Sequence, residues 1–156
     1  MLTTITQPND EDDTSSNKPK LFLDIDGVVN CKTTTQRHRG AIGIDPYMAF
    51  LVGKIQLDTG CDVILSSTWR LWEDTREEVR KQVVDFVDVT PDLHSGIRGL
   101  EIKDWLDRHP SVTRYAILDD STDMLVEQAP NFFKTSWDEG LTEEIAKKVT
   151  DHLNDI

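Results

Sequence analysis

Leu21-Phe22-Leu23-Asp24-Ile25-Asp26-Gly27-Val28-Val29-Asn30 is the stretch from which the rest of the chain can be read. The apolar run 21–23 has the character of a buried strand. Asp24 and Asp26 follow at i and i+2, so both carboxylates can face one crevice beyond the strand end. Gly27 lets the chain turn sharply there. In open α/β sheets, ligands sit outside the carboxyl ends of the strands. Two acids at such a place can hold a divalent cation, or one can attack an electrophile while the other moves a proton. An Asp-Gly after a strand is also an ordinary turn, so the remainder of the chain has to decide between turn and site.

Working outward, strand and helix patterns alternate. Strand one covers about 20–25, and a polar loop runs from Asn30 to Ile44. Asp45-Pro46 opens a helix to about Thr59, with proline at the first helical position. Asp62-Val63-Ile64-Leu65 is a second strand, a helix lies within 70–83, and Phe86–Val89 is a short third strand. Gly99 to His109 is a helix with Ile102, Trp105 and Leu106 on one face, closed by Pro110. Arg114–Leu118 is a fourth strand, 122–128 a short helix, Phe132–Thr135 a fifth strand and 141–154 the last helix. Such alternation implies an α/β fold, a parallel sheet covered by helices on both faces. Residues 1–19, polar and with the acidic run Asp10-Glu11-Asp12-Asp13, read as a disordered tail before one domain over 20–156.

Composition narrows the function classes. The chain has 156 residues, a size that buries roughly 70% of its unfolded surface. Its 29 acidic and 17 basic residues give a net charge of −12, which argues against strong non-specific nucleic-acid binding. Two cysteines, Cys31 and Cys61, lack metal-like spacing and suggest free thiols in a reducing cytoplasm. No membrane span or secretory signal is visible.

Three further stations fall at the same sheet edge. The second strand ends in Ser66-Ser67-Thr68-Trp69-Arg70, where a hydroxyl can meet a phosphate oxygen. An N-cap explains the same serines. The fourth strand ends in Asp119-Asp120, with Asp123 beyond. Adjacent carboxylates after an apolar strand are costly without a cation, and capping accounts for one of them, not three. Arg98 opens the 99–109 helix and can neutralise a phosphate, with Lys103 one turn on as the competing cation. Gly40-x-x-Gly43 follows no strand and is not a dinucleotide fingerprint.

Together, Leu-Asp-Ile-Asp-Gly-Val-Val-Asn (23–30), Leu-Ser-Ser-Thr-Trp-Arg (65–70), Arg-Gly-x-Glu-Ile (98–102) and Ile-Leu-Asp-Asp (117–120) resemble the four motifs of haloacid dehalogenase-like (HAD) phosphohydrolases. They look most like the small HAD domains of bacterial and phage proteins, including RNA-repair proteins. The resemblance runs from about Leu21 to Asp123. It implies a three-layer Rossmann-like core with five strands in the order 3-2-1-4-5 and no large cap. It implies that Asp24 is a nucleophile forming an aspartyl-phosphate and Asp26 the general acid and base. Ser66, or Ser67 beside it, would hold phosphate, and Arg98 would be the third-motif cation, a station that is more often Lys. Asp24, the backbone carbonyl of Asp26, Asp119 and Asp120 would hold Mg²⁺, a cation that prefers such oxygen ligands.

The expectation is therefore a Mg²⁺-dependent phosphomonoester hydrolase whose substrate is a nucleotide or a polynucleotide end. The alternative is a non-catalytic HAD-like domain that binds a phosphorylated partner. A capless site is open, which by resemblance favours large substrates. The locally basic loop 32–39, with Arg37 and Arg39, is a candidate guide for a phosphorylated substrate. Trp69, Arg70 and Trp72 are candidates for stacking on a base.

Overall fold

A computed structural model describes residues 17–156. The expected acidic tail over 1–19 lies, up to residue 16, outside the described residues. The sheet that follows has five parallel strands: β1 (Lys20–Leu23), β4 (Asp62–Leu65), β5 (Asp88–Val89), β6 (Tyr115–Asp119) and β7 (Phe132–Lys134). Their spatial order is β5-β4-β1-β6-β7, which in terms of these five strands is 3-2-1-4-5, as the resemblance implies. The helices are α1 (Pro46–Thr59), α2 (Glu73–Gln82), α3 (Arg98–Asp107) and α4 (Glu143–Leu153).

The central strand β1 is buried along its whole length, and its alternate side chains serve two cores. Leu21 and Leu23 face a cluster built with Leu51, Val52 and Ile55 of α1 and Val149 and Leu153 of α4. Phe22 faces the other way, with Ile64, Ile117 and α3's Ile102 and Trp105. Its ring meets Trp105 and Tyr115 edge-on, at centroid distances of 5.4 and 5.8 Å. Burying side chains of this size contributes about 1.5–3 kcal/mol each. The two clusters hold helices on both faces, which makes the three layers.

Register carries the fold to function. Leu23 pairs with Leu65 on one side and Leu118 on the other. The next residues, Asp24, Ser66 and Asp119, therefore lie at one level at the C-terminal end of these strands. Backbone bonds extend the ladder there: Asp24 N–H to Leu118 O, Ser66 N–H to Leu23 O, Thr90 N–H to Leu65 O and Thr135 N–H to Asp119 O.

Several element boundaries differ from the sequence reading. β1 stops at Leu23 rather than residue 25, because Val28 and Val29 already donate back to Ile25 O in a tight turn. The loop 30–44 contains an antiparallel hairpin, β2 (Arg37–His38) and β3 (Ala41–Ile42). Its two-residue turn, Arg39-Gly40, has positive φ at both positions (50° and 83°), the geometry that suits the strands' twist. Residues 68–71 form a short 3₁₀ turn before α2 starts at Glu73. The short helix expected at 122–128 is a 3₁₀ segment at Val126–Asn131, because Asp123 is engaged elsewhere. None of the described helices is long and apolar enough to cross a membrane.

Candidate active site

The oxygens of Asp24, Asp119 and Asp120 lie within 4.8 Å of one another at the C-terminal edge of the sheet. Asp24 and Asp119 are buried and Asp120 partly so. The Asp120 carboxylate rests on the turn made by Gly27. A Cβ at position 27 would sit 2.1 Å from Asp120 Oδ2, and the backbone there has φ of +82°. Both observations require glycine. Crowding shows in the acidities. Burial and the neighbouring Asp119 push the Asp24 carboxyl up to about 7, against the pull of Arg98. Asp119 and Asp120 are raised as well, each chiefly by burial.

Arg98 is the cation that this cluster receives. Its Nη1 lies 3.1 Å from Asp24 Oδ1 and 2.9 Å from Asp119 Oδ2. Lys103, the competing candidate, is exposed and paired with Asp107 along the helix surface. The first turn of α3 puts Arg98 there. Asp123 accepts the Arg98 backbone N–H at 2.9 Å, and Asp123 O accepts that of Gly99. Asp123 is itself held by the Ser121 hydroxyl. Gly99 permits the close approach: a Cβ on it would come within 2.8 Å of Gln128 Oε1 and Leu125 N. Gln128 in turn donates to Gly99 O at 2.8 Å.

Asp26, two residues from Asp24, occupies a different environment. It is exposed, and both of its oxygens accept neutral donors. Asn30 Nδ2 donates to Oδ1 at 2.8 Å, and the Trp69 indole N–H donates to Oδ2 at 3.2 Å. Asn30 is fully buried; its Oδ1 accepts the Gly27 N–H and its amide also donates to Gly43 O. That pattern fixes which way the amide points. Thr135 completes the turn by donating to Gly27 O at 2.6 Å.

The two serines separate. Ser67 Oγ accepts the Trp69 N–H and caps the 3₁₀ turn. Ser66 Oγ is buried without a hydrogen-bond partner, a state shared among the described residues only with Thr90 Oγ1. A buried hydroxyl of this kind calls for an acceptor.

Of the expected substrate contacts, Arg70 is not available. Arg70 is 4% exposed and binds Glu101 at 3.0 Å together with the carbonyls of Ser67, Thr90 and Pro91. It ties the strand ends β4 and β5 to α3 and cannot stack on a base. Trp69 is largely buried and its polar edge serves Asp26, but its ring still lines a cleft beside that residue; Trp72 is exposed. The loop cations stay exposed and bond neighbouring groups. Arg39 pairs with Asp74 of α2 at 3.1 Å, and Arg37 bonds the carbonyls of Thr34 and Gln36.

Asn30, Gln128 and Thr135 were outside the sequence-derived set of site groups, and Trp69 and Asp123 were in it with other roles: a base-stacking ring and a member of the acid group, rather than a donor to Asp26 and a cap for Arg98. Of the first three, only Asn30 carried a hint, as the last residue of the quoted motif.

Comparison with family models gives a match over residues 20–146 to the HAD domain in Swiss Army Knife RNA repair proteins. Comparison with curated proteins and with solved structures gives no significant match. The family match spans the sheet, the acid cluster, Arg98 and both turns that hold them. The chain therefore belongs to the family of HAD domains found in Swiss Army Knife RNA repair proteins.

Proposed function

We propose that this HAD domain is a Mg²⁺-dependent phosphomonoester hydrolase acting through an aspartyl-phosphate on Asp24, on a nucleotide or a phosphorylated nucleic-acid end. The family's description as a domain of RNA repair proteins supports the substrate class. The observation that carries the chemistry is the contrast between two acids of one turn. Asp24 is buried against Asp119, Asp120 and Arg98, while Asp26 is exposed and oriented by Asn30 and Trp69. Two carboxylates in such unlike surroundings suit different roles.

The donor set fits Mg²⁺: three carboxylates with oxygens close together, hard ligands of the type that ion takes. Asp24 and Asp120 would hold it, with the carbonyl of Asp26. Asp119 is committed on one oxygen to Arg98 and on the other to the Ser121 N–H, and joins them more weakly. When bound, the ion supplies the positive charge that lets a phosphate dianion approach carboxylates.

The chain's own residues do the rest. Arg98 neutralises charge on the phosphoryl oxygens and favours the ionised form of Asp24 against burial and Asp119. Ser66 donates its free hydroxyl to a phosphoryl oxygen. Asp24 forms the new bond to phosphorus as the bond to the leaving oxygen breaks, and that oxygen takes the proton of Asp26. Asp26 then removes a proton from water, which attacks the aspartyl-phosphate and releases inorganic phosphate.

A panel of phosphomonoesters with and without Mg²⁺, including 3′- and 5′-phosphorylated oligonucleotides, tests this reading. Asp24→Asn should abolish turnover with the fold intact, and Asp26→Asn should cost roughly 10²–10⁴ in rate. Wild-type activity in Asp24→Asn would remove the nucleophile. An inert wild type across the panel would leave the non-catalytic phosphate-binding reading in its place.

A further inference from the structure

Beside Asp26 opens a cleft of about 460 Å³, with Trp69, Trp72 and Trp137 among its lining residues, together with His38, Ala41 and Ile42 of the hairpin. The chain has four tryptophans, and three of them meet here. Trp69 forms an inner wall: its ring lies 5.8 Å from that of His38, and its N–H reaches Asp26. Trp72 and Trp137 are 58% and 41% exposed, large apolar rings that the fold leaves uncovered at the mouth. Their backbones are anchored: Thr75 Oγ1 donates to Trp72 O, and Trp137 O accepts the Lys32 N–H. Arg39 does not offer a second phosphate site, since it pairs with Asp74 of α2, and the neighbouring His38 ring faces Asp74 and Glu78.

We infer that this cleft binds the nucleobase of the leaving group, with the base stacked on Trp72 or Trp137. The inference rests on the phosphatase reading for one point: the group that receives Asp26's proton lies on Asp26's side of the phosphorus. The cleft begins at Asp26, so the body of the leaving group enters it. Its walls are flat and aromatic with few polar groups, which suits a π-faced base of any sequence better than a bare sugar or a peptide side chain. Trp69 then has two tasks, orienting Asp26 through its N–H and flooring the base site through its ring.

The same chemistry is offered by a mononucleotide and by the terminal nucleotide of a longer strand, and the test separates them. Binding is read first in Asp24→Asn, which cannot turn over, by following the tryptophan indole ¹⁵N–¹H resonances on titration with adenosine, uridine and ribose. The nucleosides should shift the Trp72 and Trp137 signals and leave the buried Trp105 signal in place; ribose should shift none. Kinetics follow with adenosine 3′- and 5′-monophosphates, 3′- and 5′-phosphorylated hexanucleotides and ribose 5-phosphate. The ratio of kcat/KM for the preferred nucleotide to that for ribose 5-phosphate should fall roughly fivefold to 100-fold in Trp72→Ala or Trp137→Ala. Phe at the same position should restore most of it. A hexanucleotide outperforming the mononucleotide identifies a strand end as the source of the base; the reverse identifies the free nucleotide. Nucleosides that shift neither indole, or a ratio unmoved in both alanine variants, would overturn the base site. Indole shifts in a protein that hydrolyses no phosphomonoester would leave the base site standing and refute the phosphatase reading instead.

Discussion

Asn30 holds three polar groups at once: it accepts the Gly27 N–H and donates to Asp26 and to Gly43 O, all from a fully buried position. Replacing it with Ala leaves the Gly27 N–H and Gly43 O without these partners, which costs on the order of 1–3 kcal/mol for a buried unpaired group. Asp26 loses one of its two donors in the same step. Asn30→Ala should therefore lower Tm by several degrees. It should also slow hydrolysis of an alkyl phosphate more than that of p-nitrophenyl phosphate, because only the poor leaving group needs a well-aimed proton. Thermal melts and the two rates check this; equal slowing of both esters would make Asn30 a purely structural residue. That Asp24, Asp119 and Asp120 share one sheet edge was legible in the sequence, because Asp24 and the Asp119-Asp120 pair each directly follow an apolar run. The task of Asn30 was not, since the amide meets Asp26 only after Gly27 has turned the chain back on itself. Arg70 misled for the opposite reason. A cation beside two tryptophans reads as a stacking group, and nothing local reveals Glu101, 31 residues on, as its buried partner.

At the scale of elements, α3 and the segment after β6 are joined as one device for placing Arg98. Asp123 takes the first N–H of the helix, Gly99 lets the two segments touch, and Gln128 bonds across them. Asp123→Ala removes the cap, which should lower stability by about 0.5–2 kcal/mol. It also frees the helix start to shift, so kcat should fall while Lys103→Ala, on the exposed face of the same helix, leaves kcat unchanged. A loss of Tm without loss of kcat in Asp123→Ala would mean that Arg98 is held by its carboxylate partners alone. The element order was readable from alternation and from Pro46 and Pro110, and the strand order in the sheet from the family resemblance. The 122–128 helix was not placed correctly, because Asp123 looks like a cap for its own segment and instead caps α3, 25 residues upstream. The hairpin at 37–42 escaped for want of length: two residues per strand carry no periodicity, although Arg39-Gly40 marks its turn.

For the whole molecule, the acid cluster couples stability to pH and to metal. The Asp24 carboxyl lies at about 7 in the folded protein against an ordinary value of 3.8, raised first by burial and then by Asp119. A raised folded value means that the protonated form is the one the fold favours. Its contribution is complete below about pH 4 and is lost as pH rises through 7. Metal-free wild type should thus lose stability between about pH 5 and 8 relative to Asp24→Asn, whose amide cannot ionise. The difference should be on the order of a few kcal/mol at most, or several degrees in Tm. Mg²⁺ bound as proposed should act on the same group with the opposite sign. It needs Asp24 deprotonated, so its affinity should fall by up to roughly tenfold per pH unit below 7 as the proton competes. Its stabilisation of the wild type, which grows with the ratio of free ion to Kd, should then be largest at pH 8 and small at pH 5.5. Melts in EDTA and in millimolar Mg²⁺, for both proteins at both pH values, read the two effects separately. A wild-type curve parallel to that of Asp24→Asn in EDTA would show that the fold relieves the crowding without a proton. Equal Mg²⁺ shifts in the two proteins would show that the ion binds away from Asp24. Opposed pH trends with and without Mg²⁺ are what a buried carboxylate shared between a proton and a cation requires.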